Sequence, residues 1–119
     1  MIDQHIETAL QNDRVVDITT IGRKSGQPRR IEIWLYYEGD GVGYLFGTVG
    51  KRDWLANLRA NPDFTIHVKR GAQADLPGRA EEITDPAERR EVIARLYGRT
   101  DGEYEQRVEH SPLMRVRLL

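Results

Sequence analysis

An alternating run that ends in an Asp-Gly turn is the feature that most restricts how this chain can fold. Between residues 30 and 38 apolar side chains occupy every second position, a period that predicts a strand with one buried face. The apolar positions are Ile31, Ile33, Leu35 and Tyr37, and Trp34 and Tyr36 form an aromatic pair on the opposite face. Residues 38–41 then predict a hairpin turn, because Asp-Gly tolerates the positive φ values that such turns need. Residues 42–49 predict the partner strand.

The rest of the chain adds four short runs that predict strands, at residues 15–21, 64–68, 72–83 and 113–118. Pro77-Gly78 interrupts the third of these runs and predicts an edge strand or a bulge. Helices are predicted at residues 2–11, at residues 53–60 with Asp53 as cap, and after Thr84, which is followed by Pro86 in the first turn. Six strands with a few helices indicate a mainly β protein of the α+β class. We expect a small antiparallel barrel or sandwich, in one domain spanning residues 1–119.

Composition excludes several classes of function. The 18 basic residues balance 19 acidic ones, so no overall field favours nucleic acid or an anionic membrane. The 119 residues include no cysteine, which excludes thiolate chemistry and fits a reducing cytoplasm. No apolar run approaches the roughly 18 residues of a membrane span. We therefore expect a cytoplasmic protein with no membrane span.

A basic stretch at residues 19–30 carries four cations around two glycines. The cations are Arg23, Lys24, Arg29 and Arg30, and the glycines are Gly22 and Gly26. Glycines let the backbone turn tightly and approach a ligand, and the side chains supply donors for an anion. Four cations so close together would repel one another with no anion near, so the stretch predicts a ligand that carries phosphate or carboxylate. The alternative is a solvated hairpin.

A second informative stretch, at residues 47–62, combines a strand end, a glycine, two cations and the start of a helix. Backbone donors and the positive end of the helix dipole there favour an anion or a polar ring edge. In the same helix, Trp54 is expected to pack into the core and Asn57 to bond backbone groups where strand meets helix. The stretch therefore predicts a second place where an anion or a polar ring edge could bind.

Other constellations are weaker. His5, His67 and His110 lie far apart without acidic partners at ligand spacing, so we expect no metal site. Neither Ser25 nor Ser111 lies in a nucleophile elbow, and the glycine spacing does not match a dinucleotide loop. Single-stranded nucleic acid is the serious competitor, because a small barrel with a basic turn and exposed aromatics suits it. Four cations without a longer stripe argue against it, and we expect no nucleic-acid partner.

Together the two stretches resemble the deazaflavin-dependent nitroreductase and quinone reductase family. The family's recurring pattern is a Thr-Thr-x-Gly-Arg-Lys-Ser-Gly turn, an aromatic strand, an Asp-Gly hairpin, a glycine-rich strand end, and Trp-x-x-Asn-Leu-x-Ala-Asn-Pro. In this chain these elements are residues 19–26, 33–37, 40–41, 47–50 and 54–62. The resemblance covers residues 15–69.

The resemblance implies a six-stranded antiparallel split β-barrel of the flavin-mononucleotide-binding type, with flanking helices. It also implies coenzyme F420, a deazaflavin with a phosphate and a polyglutamate tail, as cofactor. Its phosphate and tail would contact Arg23, Lys24, Ser25 and Arg29, with Lys51 and Arg52 serving the phosphate from the other side. The deazaflavin ring would lie along Ile33, Trp34 and Leu35, with its edge against Gly47, Thr48, Val49 and Gly50. Trp54 completes the implied cofactor-binding set.

The implied reaction is hydride transfer from the reduced deazaflavin to a small acceptor such as a quinone, nitro compound or enone. Tyr97 or Tyr104 is a candidate catalytic residue that gives the product its proton. Flavin mononucleotide, which needs fewer cations, is the alternative cofactor. A non-catalytic binder of an anionic cofactor or lipid is the alternative from another class. The aromatic face of residues 30–38 also makes a homodimer plausible.

Overall fold

A computed structural model describes residues 2–47 and 52–119, in which six antiparallel strands close into a barrel. The strands are β1 (Val15–Ile21), β2 (Pro28–Gly39), β3 (Val42–Phe46), β4 (Asp63–Val68), β5 (Ala74–Glu82) and β6 (Leu113–Leu118). The helices are α1 (Gln4–Asn12), α2 (Asp53–Ala60), α3 (Pro86–Tyr97) and α4 (Tyr104–His110). Around the barrel the strand order is β1-β2-β3-β6-β5-β4. The expected mainly β barrel with flanking helices is therefore confirmed.

The β2–β3 hairpin forms at the Asp-Gly turn. Asp40 has φ 55°, and Gly39 and Gly41 have φ 115° and 78°, the left-handed values that this dipeptide tolerates. The pairing register shifts between Tyr37 and Gly39, where the strand bulges, and Trp34 then lies opposite Phe46. Closure of the sheet pairs every strand on both sides, so these barrel strands leave no long open edge.

Two apolar clusters form the core. The first fills the barrel with inward-facing strand residues such as Ile18, Leu35 and Ile66, and α1 and α2 pack against it. The second lies outside β3 and β6, where α3 and α4 cover Phe46 and Leu113. The period-two pattern of the strands explains the first cluster, because alternate residues of a strand face one side. Along β2, Ile33, Leu35 and Tyr37 are buried as expected, whereas Ile31 is exposed because it lies near the end of the strand.

Two local predictions are wrong. β5 is neither an edge strand nor a bulged one, since it pairs with β4 and β6 and runs without a register shift through Pro77 and Gly78. The glycine at position 78 is explained by close packing, because a Cβ there would lie 2.8 Å from the ring of Phe64. Asp85, not Thr84, caps α3 by accepting a hydrogen bond from the Glu88 N–H at 2.9 Å.

The start of α2 also differs from the prediction, because Arg52 holds the cap position and Asp53 is the first helical residue. The Arg52 side chain makes no capping hydrogen bond to this helix end. Within residues 2–47 and 52–119, no helix has the length and apolar character needed to cross a membrane.

Candidate cofactor site

The turn between β1 and β2, here called the basic turn (residues 22–27), is shaped by its two glycines. The Gly22 N–H donates to the Gln27 carbonyl at 2.9 Å, and the Gly26 N–H donates to the Gly22 carbonyl at 2.8 Å. Gly26 has φ 68°, and a Cβ on Gly22 would lie 2.5 Å from the Ser25 Oγ. Ser25 in turn accepts a hydrogen bond from the Gln27 N–H at 3.1 Å. The turn is therefore tight: Gly26 has a φ that favours glycine, and a side chain at position 22 would have to displace the Ser25 hydroxyl.

Helix α2 holds the basic turn through a buried amide. The Asn57 Oδ1 accepts a hydrogen bond from the Arg23 backbone N–H at 3.0 Å, and its Nδ2 donates to the Thr20 Oγ1 at 3.2 Å. Both Asn57 and Thr20 are buried, and each finds a partner in the other, as buried polar groups require. Asn57 thus bonds a backbone group as expected, and it fixes the cationic turn to the helix.

A cleft of about 450 Å³, here called the basic cleft, opens between the basic turn and α2. Its lining residues are Thr20, Gly22, Arg23, Lys24, Ser25, Arg29, Ile31, Asp53, Trp54 and Asn57. Three of them are cations, and Asp53 is the single carboxylate. The carboxylate of Asp53 is 98% exposed and lies 4.0 Å from the Arg23 guanidinium, so solvent screens this pair. The cleft therefore has a net positive lining that suits an anion.

A second cleft of about 580 Å³, here called the aromatic cleft, adjoins the first. Its lining residues are Ile31, Glu32, Ile33, Trp34, Phe46, Gly47, Arg52, Trp54, Tyr97 and Arg107. Trp34 and Tyr97 each meet Phe46 edge to face, with ring centroids 5.9 Å apart in both pairs. Ile31 and Trp54 line both clefts, so the cationic and aromatic surfaces share a wall. A flat ring and an anionic tail on one ligand match this arrangement.

At the far wall of the aromatic cleft, the Arg107 guanidinium lies over the Tyr97 ring, with its central carbon 3.9 Å from the ring centroid. Burial raises the pKa of Tyr97, and Arg107 partly offsets the rise. The phenol is therefore protonated at neutral pH. Within residues 2–47 and 52–119, no three histidine, aspartate or glutamate side chains group in a way that could hold a metal ion.

A family model described as pyridoxamine 5'-phosphate oxidase matches residues 2–118, almost the whole chain. The chain belongs to the pyridoxamine 5'-phosphate oxidase family. The comparison with curated proteins gives no match. Membership in the pyridoxamine 5'-phosphate oxidase family agrees with the split barrel, while the resemblance to the deazaflavin-dependent family stays a prediction.

Solved structures share the fold of this pyridoxamine 5'-phosphate oxidase family member. A Bacteroides thetaiotaomicron protein whose proposed role is 5-nitroimidazole antibiotic resistance has 19% identity and a TM-score of 0.73, over 98% of this chain and 80% of its own. A FAD-binding protein from Mesorhizobium loti has 20% identity and a TM-score of 0.70, over 99% and 88%. An F420-H2 dependent reductase, FDR-A, has 20% identity and a TM-score of 0.62, over 87% and 93%. At these identities the likeness shows the fold alone.

Most of the residues predicted for the cofactor lie at one of the two clefts of the family barrel. Those at the basic cleft are Arg23, Lys24, Ser25 and Arg29, those at the aromatic cleft are Ile33, Trp34, Gly47 and Arg52, and Trp54 is at both. Trp54 is also buried in the core, as expected. Leu35 is placed elsewhere: its side chain is 1% exposed and packs inside the barrel, because it alternates with Trp34 along β2. The predictions for Thr48, Val49, Gly50 and Lys51 lie outside the described residues.

The two candidate catalytic tyrosines have different positions. Tyr97 lines the aromatic cleft. Tyr104 lines neither cleft, and its hydroxyl donates to the Arg90 carbonyl at 3.0 Å, which joins α4 to α3. Of the two tyrosines, Tyr97 is therefore the one whose position suits a catalytic role.

Sequence reasoning missed Phe46 and Arg107 in the aromatic cleft. Phe46 lies opposite Trp34 in the β2–β3 hairpin. A register counted in residues from the Asp-Gly turn does not pair the two, because the bulge near Tyr37 shifts the pairing by one residue. Glu103 and Arg107 have the four-residue spacing of a helical ion pair, which the structure forms at 3.3 Å. That signal predicts a helix contact, and it does not place Arg107 beside Tyr97.

Proposed function

We propose that this protein binds coenzyme F420 across the two adjoining clefts and transfers hydride from its reduced form to a small acceptor, such as a quinone, nitro compound or enone. The observation that carries the proposal is the common wall: Ile31 and Trp54 join a cationic cleft to an aromatic one. A ligand with a flat redox ring and an acidic tail fills both.

The charges of the basic cleft are available to such a tail. In the described part of the chain, no ion pair involves Lys24 or Arg29, and Arg23 meets only the exposed Asp53 at 4.0 Å. Arginine forks and lysine ammonium groups bind phosphate and carboxylate oxygens with charge-assisted hydrogen bonds. The phosphate and polyglutamate carboxylates of F420 would replace the bulk water that screens these side chains.

The aromatic cleft supplies the walls for the ring. Trp34 is 57% exposed and offers its ring surface to a ligand, while Phe46 supports it from behind. When bound, a reduced deazaflavin supplies a hydride. The chain's own contribution is to orient the ring, to exclude water with aromatic side chains, and to hold a proton on the Tyr97 hydroxyl. Tyr97 holds that proton at neutral pH, as an ordinary tyrosine does, and burial raises its pKa further.

Flavin mononucleotide is the second candidate cofactor. Family membership favours it, as does the fold shared with a FAD-binding protein, and the fold shared with an F420-H2 dependent reductase supports the deazaflavin. A flavin has one phosphate and no polyglutamate tail, so it would use fewer cations of the basic cleft. A yellow protein with a flavin spectrum after purification would favour flavin mononucleotide. A cofactor that binds without hydride transfer to any acceptor would favour a non-catalytic binder.

We also propose that a second copy of the chain covers part of this surface. Trp34 and Ile31 are among the few exposed large apolar side chains of the described residues, and both belong to β2. Exposed apolar groups of this kind commonly mark an interface. Light scattering should give the mass of a homodimer, and a monomer at micromolar concentration would contradict this part of the proposal.

The binding test is a fluorescence titration of purified protein with F420. The double variant Arg23→Ala, Lys24→Ala should bind about tenfold more weakly or worse, because two charge-assisted contacts are lost. The matched control is Arg79→Ala, Arg117→Ala, which removes the same charge from paired residues of β5 and β6, on the other side of the barrel. It should bind like the wild type. Equal affinity for the Arg23, Lys24 variant and the wild type would contradict the assignment of the basic cleft.

A further inference from the structure

We propose that Arg107 binds the acceptor, through the oxygen atom that becomes negative as hydride arrives. The inference rests on the proposed function, and it narrows the acceptor to compounds whose reacting carbon is conjugated to a carbonyl oxygen, namely enones and quinones. Arg107 belongs to α4 and lines the aromatic cleft, far in sequence from the cofactor motifs.

The position of Arg107 suits contact with a bound acceptor. Its side chain is 16% exposed, and the guanidinium lies over the Tyr97 ring at 3.9 Å. A cation is attracted to the face of an aromatic ring, so Tyr97 holds the guanidinium within the cleft. An acceptor stacked on the ring of a bound cofactor would therefore meet the N–H donors of a guanidinium held in place, whose charge Asp101 and Glu103 partly neutralise.

Two carboxylates orient the Arg107 guanidinium, and their ion pairs occupy only part of its N–H donors. The Arg107 Nε lies 3.5 Å from Asp101, and its Nη2 lies 3.3 Å from Glu103. The Nη1 group takes part in neither ion pair. The Glu103 side chain is 64% exposed, so solvent screens its charge. A planar guanidinium has five N–H donors, and those of Nη1 lie outside the two ion pairs that hold the plane in place.

Arg89 of α3 holds the backbone at the end of α4, next to Arg107, in place. The Arg89 guanidinium donates to the carbonyl oxygens of Val108 at 2.6 Å, Ser111 at 2.6 Å and Ile83 at 2.8 Å. These bonds join the end of α4 to α3 and to the residue after β5. Arg107 is thus preorganised, and a preorganised donor stabilises developing charge without reorganising during the reaction.

The step that Arg107 would assist is a two-electron reduction of the acceptor. A hydride, supplied as a C–H bond of the bound reduced cofactor breaks, would form a C–H bond at the β-carbon of an enone, and the C=C π pair would move toward the carbonyl oxygen. Two electrons would pass from the cofactor to the acceptor, which would become an enolate. Arg107 would bind the enolate oxygen, and a proton from the Tyr97 hydroxyl or from water would complete the reduction.

The test uses 4-nitrophenol, whose phenolate mimics the enolate, on protein saturated with oxidised F420. A spectroscopic pH titration gives the apparent pKa of the bound phenol. We expect the wild type to lower that pKa by about 1 relative to free phenol, and Arg107→Gln to abolish the effect. Arg107→Lys, which keeps the charge without the fork, should retain part of it. Arg90→Gln is the control, since it removes an exposed arginine that pairs with Glu105 on the outer side of α3 and α4.

Cofactor titrations separate the two proposals. If F420 binds neither the wild type nor any variant, the proposed function fails, and the role of Arg107 fails with it. If F420 binds the wild type and all variants equally, two results overturn only the role of Arg107. One is that the Arg107→Gln protein still lowers the pKa of 4-nitrophenol, and the other is that the wild type does not lower it. As a second readout, kcat for an enone should fall about 100-fold in Arg107→Gln, with the Kd for F420 unchanged.

Discussion

Asn57 and Arg23, which are 34 residues apart, are joined by a hydrogen bond of 3.0 Å from the Arg23 backbone N–H to the Asn57 Oδ1. This bond connects the cationic turn to α2, and both of these elements line the basic cleft. Loss of the bond should therefore affect both the position of the turn and the stability of the fold.

Asn57→Ala should weaken F420 binding about tenfold and lower the free energy of unfolding by about 1–3 kcal/mol, because it leaves the Arg23 N–H without its partner. Thr20→Val is the matched variant: it removes the other bond of Asn57 and keeps the bond to Arg23. It should lower stability but bind F420 nearly as well as the wild type. Fluorescence titration and urea denaturation measure the two quantities. Equal losses of affinity in both variants would show that the Asn57–Arg23 bond does not position the turn.

Arg89→Met should be among the most damaging single changes outside the barrel. It leaves three carbonyl oxygens, those of Ile83, Val108 and Ser111, without their donor. We expect a loss of about 3 kcal/mol or more in the free energy of unfolding, measured by urea denaturation. The adjacent Arg90→Met, in which only an exposed ion pair with Glu105 is lost, should stay close to the wild type. A similar stability for both variants would contradict the role given to Arg89.

The raised pKa of Tyr37 should make the protein less stable at alkaline pH. Burial raises the pKa of Tyr37 to about 12, and its hydrogen bond of 2.6 Å to the Glu7 carboxylate acts in the same direction. The folded chain therefore holds this proton more tightly than the unfolded chain, whose tyrosine titrates at 10.0. The resulting stability is complete below pH 10 and declines by up to about 1.4 kcal/mol per pH unit as pH rises toward 12.

Tyr37→Phe should remove the part of the alkaline decline that Tyr37 causes and leave the part that the raised pKa of Tyr97 causes. It should also lower stability at pH 8 by about 1 kcal/mol, since the Glu7 and Gly41 hydrogen bonds are lost. Its neighbour provides the comparison, because Tyr36→Phe should keep the alkaline decline. Denaturation midpoints between pH 8 and pH 12 measure the difference. The idea is wrong if the two variants respond to pH alike.

Gly78→Ala should destabilise the barrel by about 1–3 kcal/mol, because the new methyl group would lie 2.8 Å from the Phe64 ring. Gly102→Ala is the control, since nothing lies within 4 Å of a Cβ there and its φ is not left-handed. It should be neutral or slightly stabilising. Thermal unfolding compares the two, and an unchanged Tm for Gly78→Ala would mean that the ring can move aside.

Local patterns predicted most of the fold, and contacts between distant residues account for what they missed. Alternation along residues 30–38 correctly buried Ile33 and Leu35, because a period of two is a property of the strand itself. The continuity of β5 through Pro77 and Gly78 was missed because it depends on pairing with β4 and β6, which no local pattern in residues 72–83 shows.

The candidate site divides in the same way. The glycines and cations of residues 22–29 predicted a basic cleft, since turn chemistry and charge are visible in the sequence. Arg107 was missed because its position beside Tyr97 depends on how α3 and α4 pack, which no local pattern shows. The family resemblance placed Leu35 along the deazaflavin ring. Alternation along β2 already put its side chain on the opposite face of the strand from Trp34, inside the barrel.

One strand, β2, carries Arg29 of the basic cleft and Trp34 of the aromatic cleft. At about 3.3 Å per residue, five steps separate these positions by roughly 17 Å. Because five is an odd number of steps, the two side chains leave opposite faces of β2, and a ligand that contacts both has to pass the wall that Ile31 and Trp54 form between the clefts. Inserting one residue between Arg29 and Trp34 would turn the side chains that follow it to the other face of the sheet, and would move Trp34 out of the aromatic cleft.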